Sequence, residues 1–315
     1  MNLTRYSADD AERWNAFIKE CKNSTFLFDR KFMDYHSDRF TDCSFMFTDK
    51  ERLIAVLPAN IDKSSSTLCS HQGLTYGGLI MSKKITQQKV LDCFALLIEY
   101  CKQELGIKQI IYKPIPYIYS NYPSEEPLYA LFRNNATLIG RGSSQCIHLA
   151  NHIKPSELRR RGVKKALAEK YEVKETDDFP TFWAILDEVL RTCHNTKPVH
   201  TPAEMQLLAS RFPKEIKLYG TFAPDDTMQA GTWVFDCGNV VHTQYLAATE
   251  KGKQTGALDL LIMSLIEKYA GTKEYIDFGI STEQGGNILN EGLAFQKEGF
   301  GGRGVCYDCW QINLE

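Results

Sequence analysis

No stretch of this chain approaches the roughly 18 consecutive apolar residues that a membrane-spanning helix needs. Its first residues, MNLTRYSADDAERW, lack the basic start and apolar core of a secretory signal. No Gly-x-Ser-x-Gly elbow and no Walker loop occurs, so the usual signatures of serine hydrolases and P-loop enzymes are missing. Charge of one sign is also lacking: 37 Lys and Arg stand against 39 Asp and Glu, a net charge of -2. Global attraction to nucleic acid is therefore excluded, and any polyanion must be met by a local patch. Cysteine is present but unpatterned. Ten are scattered along the chain, several inside apolar runs such as LDCFALLIEYC, where they read as small buried hydrophobes. Cys306 and Cys309 have no second pair at zinc spacing, and a strand would put them on opposite faces. His148 and His152 lack the helix and the intervening Glu of a zincin. The expectation is a soluble cytoplasmic protein with no metal, no membrane insertion and no DNA partner.

What is there suits an ordinary globular protein, at 43% hydrophobic and 24% charged residues. A length of 315 residues predicts two domains. A Ser7/Asp10 cap opens a helix over 7–20, and Thr48-Asp49-Lys50-Glu51 is the turn of a hairpin. Residues 86–106 have apolar positions at helical spacing and a glycine stop. The run 154–176 is dense in Arg159, Arg160, Arg161, Lys164 and Lys165 and reads as a helix joining two halves. Those cations are a solvated face or a contact for phosphate. Thr201, Pro202 and Glu204 form a second capping box, with His200 in the turn-rich loop before it. Three strands follow over 215–249, then a strong apolar helix, the strand EYIDFGIS and a final strand. Helices and strands recur in both halves without sequence repetition, which predicts an α+β fold with two mixed sheets, divided into 1–150 and 151–315.

The most informative stretch is VVHTQYLAATEKGKQTGALDLLIMSLIEKYAG. A strand runs into Lys251, Gly252, Lys253, Gln254, Thr255 and Gly256, read as a loop opening onto a helix. Free N–H groups and the macrodipole make such a junction an anion cradle, although Thr255 could be an ordinary cap. Strand alternation puts His242, Gln244 and Leu246 on one face and Thr243, Tyr245 and Ala247 on the other. Asp277 ends a strand, followed by glycine-rich sequence containing Glu283, Glu291, Lys297 and Arg303.

Strand, basic glycine-containing loop, amphipathic helix and strand, in that order, resemble the core of the GNAT acyltransferase superfamily. That family's loop has Gln or Arg, two residues, Gly, one residue, then Gly or Ala. Here Lys251 and Gly256 take the outer places and Gln254 stands where the middle glycine belongs. The tail YIDFGIS followed by Leu293, Lys297, Phe300 and Gly301 is similar to the ending of FemAB-like proteins. The resemblance implies tandem GNAT-like domains, the first degenerate and the second carrying the active cleft. It also implies acyl-CoA, acetyl-CoA included, or aminoacyl-tRNA as donor, and cell-envelope biosynthesis as one context. An amine would attack the donor carbonyl directly, so it must be neutral and the oxyanion must meet aimed donors. Backbone of 243–248 would supply those donors. His242, Tyr245, Asp277 and Lys297 would manage protons and charge. Residues 251–256 would hold the donor's phosphates, and His200, Glu283 and Arg303 would touch the acceptor. From a different class, the departures from the loop pattern suit a degenerate binding module.

Overall fold

The computed structural model describes residues 1–194 and 196–314, without the side chains of Cys193 and His194. The chain forms two compact units. One comprises Met1–Gly142, Thr282–Ile288 and the segment from Cys306 onward; the other comprises Ser143–Ser281 and Leu289–Val305. Against the expected division at 150, two tail segments therefore return to the first unit.

The elements of the first unit are β1 (Asn2–Arg5), α1 (Ala11–Ile18), α2 (Arg30–Met33), β2 (Thr41–Asp42), β3 (Phe45–Asp49), β4 (Arg52–Leu57), β5 (Asn60–Asp62), β6 (Thr67–Cys69), β7 (Ile80–Met81), α3 (Gln87–Gln103), β8 (Gln109–Tyr112) and α4 (Glu126–Arg133). The strand β9 (Thr137–His148) then leads into the second unit. One sheet has the order β1-β3-β4-β7, with the β3–β4 hairpin turning through Lys50 and Glu51 at φ 47° and 66°. In a second sheet β2, β5, β6 and β8 follow one another. The unit's core gathers Phe45, Phe47, Phe94, Leu97 and Tyr112, all at most 2% exposed. The periodic 86–106 segment thus buries its apolar stripe as α3.

The second unit contains α5 (Glu157–Ala168), β10 (Glu172–Thr176), α6 (Phe179–His194), α7 (Pro202–Arg211), β11 (Ile216–Phe222), β12 (Met228–Asp236), β13 (Val240–Ala248), α8 (Glu250–Thr255), α9 (Ala257–Tyr269) and β14 (Tyr275–Ile280). After the short strands β15 (Thr282–Glu283) and β16 (Ile288–Leu289) come α10 (Glu291–Gly299) and β17 (Arg303–Asn313). Its sheet has the order β10-β11-β12-β13-β14-β9. Neighbours are antiparallel except β13 and β14, which run parallel. Leu260, Leu261, Leu265 and Ile266 of α9 pack with Val234, Val241, Ala248 and Ile276 of the sheet.

Three expectations are corrected. The helix of 154–176 stops at Ala168, because Glu172–Thr176 is an edge strand paired with β11. The loop of 251–256 is helical, capped by Thr249, whose Oγ1 accepts from Gly252 N at 2.9 Å; Thr255 caps nothing and donates to Lys251 O. The glycine-rich stretch from Glu291 is helix α10, capped by Asn290.

The basic helix α5 earns its glycine by close approach. A Cβ on Gly162 would lie 1.8 Å from Asp259 Oδ2, and Asp259 is itself held by Arg159 at 2.9 Å. Gly162→Ala is expected to lower stability by about 1–3 kcal/mol, the range for overpacking a well-fitted contact, despite alanine's better helix propensity. Urea unfolding checks this, and an alanine variant as stable as the parent would mean that α5 and α9 have slack.

Candidate active site

Within the second unit, β13 and β14 stay in register for three pairs: Val240↔Tyr275, Val241↔Ile276 and His242↔Asp277. There the parallel register ends, while β13 continues to Ala248 against β12. A fork results, with residues 243–248 beyond the last parallel pair and His242 and Asp277 at its base.

Asp277 is fully buried. His242 Nδ1 lies 3.0 Å from its Oδ2, so the ring donates from Nδ1 and presents Nε2 as the basic nitrogen. Oδ1 accepts from Gly279 N at 3.2 Å and from the Ser144 hydroxyl. Buried carboxylates keep their place through such bonds. Lys297, on α10 and 5% exposed, donates to Gly279 O at 2.7 Å and Ile280 O at 3.0 Å. Burial pushes its ammonium down to about 8, against the opposing pull of Asp277. Beside it, Ser281 Oγ donates to Gln145 Oε1 at 2.5 Å.

The alternation expected along β13 fails at one residue. Trp233 faces Tyr245 but Val234 faces Thr243, so Gln244 is the extra residue of a bulge. His242, opposite Phe235, and Tyr245, opposite Trp233, therefore lie on the same face of the sheet, where alternation alone separates them. Leu246, expected with His242, instead packs with the α9 core. Tyr245 Oη is 2.8 Å from His200 Nδ1, and Trp183 Nε1 fixes His200 by donating to its carbonyl at 2.9 Å. The Trp233 and Tyr245 rings are near parallel, with centroids 5.9 Å apart, and His200 stands edge-on to both. Burial raises the Tyr245 phenol above its ordinary value, so it stays a proton donor.

Other expected residues fall elsewhere. Arg303 is exposed and donates to Gly302 O. Glu283 is exposed in the first unit, and Glu291 is exposed in the first turn of α10. Lys251, Lys253 and Gln254 are exposed on α8. Their glycines answer to packing: a Cβ on Gly252 would lie 2.1 Å from Gln229 O, and Gly256 (φ 80°) sits equally close to Gly162 O. In the basic run, Arg159 is an internal ion pair with Asp259, while Arg160 and Arg161 both meet Glu157. Ser144, Gln145, Ser281, Trp183 and Trp233 had no local signal; strand register alone recruits them. Among the described residues no group of three or more His, Cys, Asp or Glu could hold a metal ion.

The first unit has a comparable parallel pair, Thr67↔Gln109 to Cys69↔Ile111, but its fork is occupied by its own chain. Ser70 N donates to Ile111 O at 2.8 Å, Lys113 N to Ser70 Oγ at 2.7 Å and Gly77 N to Lys113 O at 3.0 Å. A Cβ on Gly77 would lie 2.1 Å from Ser70 O, so the loop's two ends touch.

No protein-family model and no curated protein matches the sequence. The fold does match solved structures. FemX superposes over 99% of this chain and 97% of its own, with a TM-score of 0.69 and 10% identity. The lysylphosphatidylglycerol synthase of Bacillus licheniformis covers 99% and 93% (TM-score 0.62, 12% identity). A tandem GNAT protein from the clavulanic acid pathway covers 100% and 98% (TM-score 0.56, 10% identity). The chain thus has the tandem GNAT fold that its sequence resembles.

Proposed function

We propose that the second unit moves an acyl group from an activated, phosphate-bearing donor to an amine by direct attack, without a covalent enzyme intermediate. The observation that carries this reading is the fork itself: a strand edge continuing past its parallel partner, with a buried His–Asp pair at the branch point. The donor carbonyl lies along residues 243–248, where backbone N–H groups meet the developing oxyanion. His242 Nε2 takes the proton from the attacking amine, and Asp277 holds the ring in the tautomer that carries its proton on Nδ1 and its lone pair on Nε2. Tyr245, on the same face and backed by His200, returns a proton to the leaving group. Lys297 holds the turn after Asp277 through two carbonyls and keeps that end of the cleft in place. Arg303 remains an acceptor contact only in this proposal.

An acyl-CoA, acetyl-CoA being the simplest, fits with its phosphates beside Lys251 and Lys253. Lys251→Ala with Lys253→Ala is expected to weaken acyl-CoA binding at least tenfold by calorimetry. Unchanged affinity would remove the cradle from α8. A second reading, aminoacyl-tRNA as donor and a cell-wall precursor as acceptor, is favoured by the covering of α9's start. Gly256 rests on Gly162 O, and Asp259 in that first turn is already paired to Arg159. Saturable heat with charged tRNA but not with acyl-CoA would select it. No heat with either would leave a binding module in place of an enzyme.

A further inference from the structure

The first unit carries a buried amine that the proposed chemistry does not use. β8 and β17 pair antiparallel through Tyr112↔Trp310, Ile111↔Gln311 and Ile110↔Ile312. One step further along the same ladder sets Lys113 opposite Cys309. Directly opposed residues share a face, with Cβ atoms roughly 4.5–5.5 Å apart. Tyr112 and Ile110 point into the core, so Lys113 and Cys309 stand on the other side. The strand position of Lys113 is fixed through both backbone groups, by Ser70 Oγ and Gly77 N.

The Lys113 ammonium donates to Leu74 O, and among the described residues it forms no ion pair. Burial pushes it down to about 8, with Cys309 and Cys69 opposing that shift. About a tenth of it is therefore free amine at pH 7 and about half at pH 8. Cys309 is a free, partly exposed thiol that burial raises above its ordinary value, with Lys113 opposing that shift; a Cβ built on Gly140 would lie 3.5 Å from the Cys309 Cβ. An amine and a thiol facing each other across one strand pair, each held toward its neutral form by burial, have no chemistry yet assigned.

We propose that Lys113 and Cys309 are a modification site, joined reversibly by an N–O–S cross-link when the protein meets hydrogen peroxide. One peroxide converts the thiol to a sulfenic acid, breaking S–H, forming S–O and releasing water. A second peroxide oxidises the amine to a hydroxylamine and releases another water. Condensation of the two hydroxyls expels a third water and leaves Lys–NH–O–S–Cys. The protein gains one oxygen and loses two hydrogens, while both peroxides are reduced. Two equivalents of a dithiol return amine, thiol and water. The link removes the charge of Lys113 and ties β8 covalently to β17.

The full chain treated with hydrogen peroxide tests this by intact mass and peptide mapping. The expected product has one oxygen more and two hydrogens fewer, joins the peptides containing Lys113 and Cys309, and reverts with dithiothreitol. It should vanish in Cys309→Ser and Lys113→Arg and persist in Cys69→Ser. Loss of two hydrogens alone would mean a disulfide and overturn the proposal. So would the same product, one oxygen more and two hydrogens fewer, formed at Cys309 in Lys113→Arg, or an unchanged mass of the parent. Mapping of the parent protein gives the answer even if a variant fails to fold.

Discussion

Asp277→Asn should lower kcat/KM for acyl transfer by about 10²- to 10⁴-fold, the range for removing a positioned acid–base function, while leaving the fold intact. The change is isosteric, and the direction of the amide is dictated by its surroundings. Gly279 N–H lies on Oδ1 and can only donate, so the asparagine oxygen must stay there. Its NH2 group then faces His242 Nδ1, where the carboxylate Oδ2 had been. Nδ1 must become the acceptor, the ring proton moves to Nε2, and the nitrogen meant for the amine loses its lone pair. The same logic separates this variant from Ser144→Ala. That change removes one hydroxyl from Oδ1 but leaves the Nδ1–Oδ2 bond in place, so a loss of only a few fold is expected. Release of free coenzyme A from acetyl-CoA with a panel of amines measures the rate, and histidine nitrogen shifts report the tautomer. An Asn variant with undiminished turnover would remove His242 from catalysis.

Local signals in the sequence located the elements but not their partners. The Thr201/Glu204 box and the Thr48–Glu51 turn are written in adjacent residues, and both are present. The strands β11 to β13 and the helix α9 of the second unit were legible for the same reason, through apolar spacing. The meeting of His242 with Asp277 depends on a parallel register between strands 35 positions apart in sequence. The meeting of Tyr245 with His200 spans 45 positions, and Ser144 reaches Asp277 across 133. Alternation, which served elsewhere, misled on β13 because one bulged residue inverts it. Gln244 has no sequence mark distinguishing it from a regular strand residue. Similarly, Glu172–Thr176 continues a charged run and becomes a strand only because β11 offers an edge. The glycines of 252 and 256, read as room for phosphate, are required by approaches to Gln229 O and Gly162 O that no local pattern announces.

Lys297 gives the second large effect, and its sign follows from burial. Its ammonium is held down to about 8 from 10.5 because desolvation outweighs the attraction of Asp277. A depression of that size corresponds to about 3 kcal/mol. Below about pH 8 the lysine is protonated in folded and unfolded chains alike, and the folded state carries the full cost. Between pH 8 and 10.5 the folded protein releases the proton while the unfolded chain keeps it, so the parent gains stability with rising pH. Lys297→Met carries no such cost at any pH, but it removes the charged donor's hydrogen bonds to Gly279 O and Ile280 O, at about 1.5–3 kcal/mol each. The stability of the parent relative to the Met variant should therefore rise by up to about 3 kcal/mol from pH 8 to 10.5 and level off above. The difference must be compared, because buried thiols such as Cys43 and Cys93, pushed up to about 11 and about 12 by desolvation, titrate from pH 9 upward and destabilise both proteins equally. Urea unfolding of the two at several pH values provides it, and a pH-independent difference would show that Lys297 is not the buried cation described. Acyl transfer in the Met variant should also fall more than tenfold, since the Lys297 ammonium holds from the other side the turn carrying Gly279 N–H, which fixes Asp277.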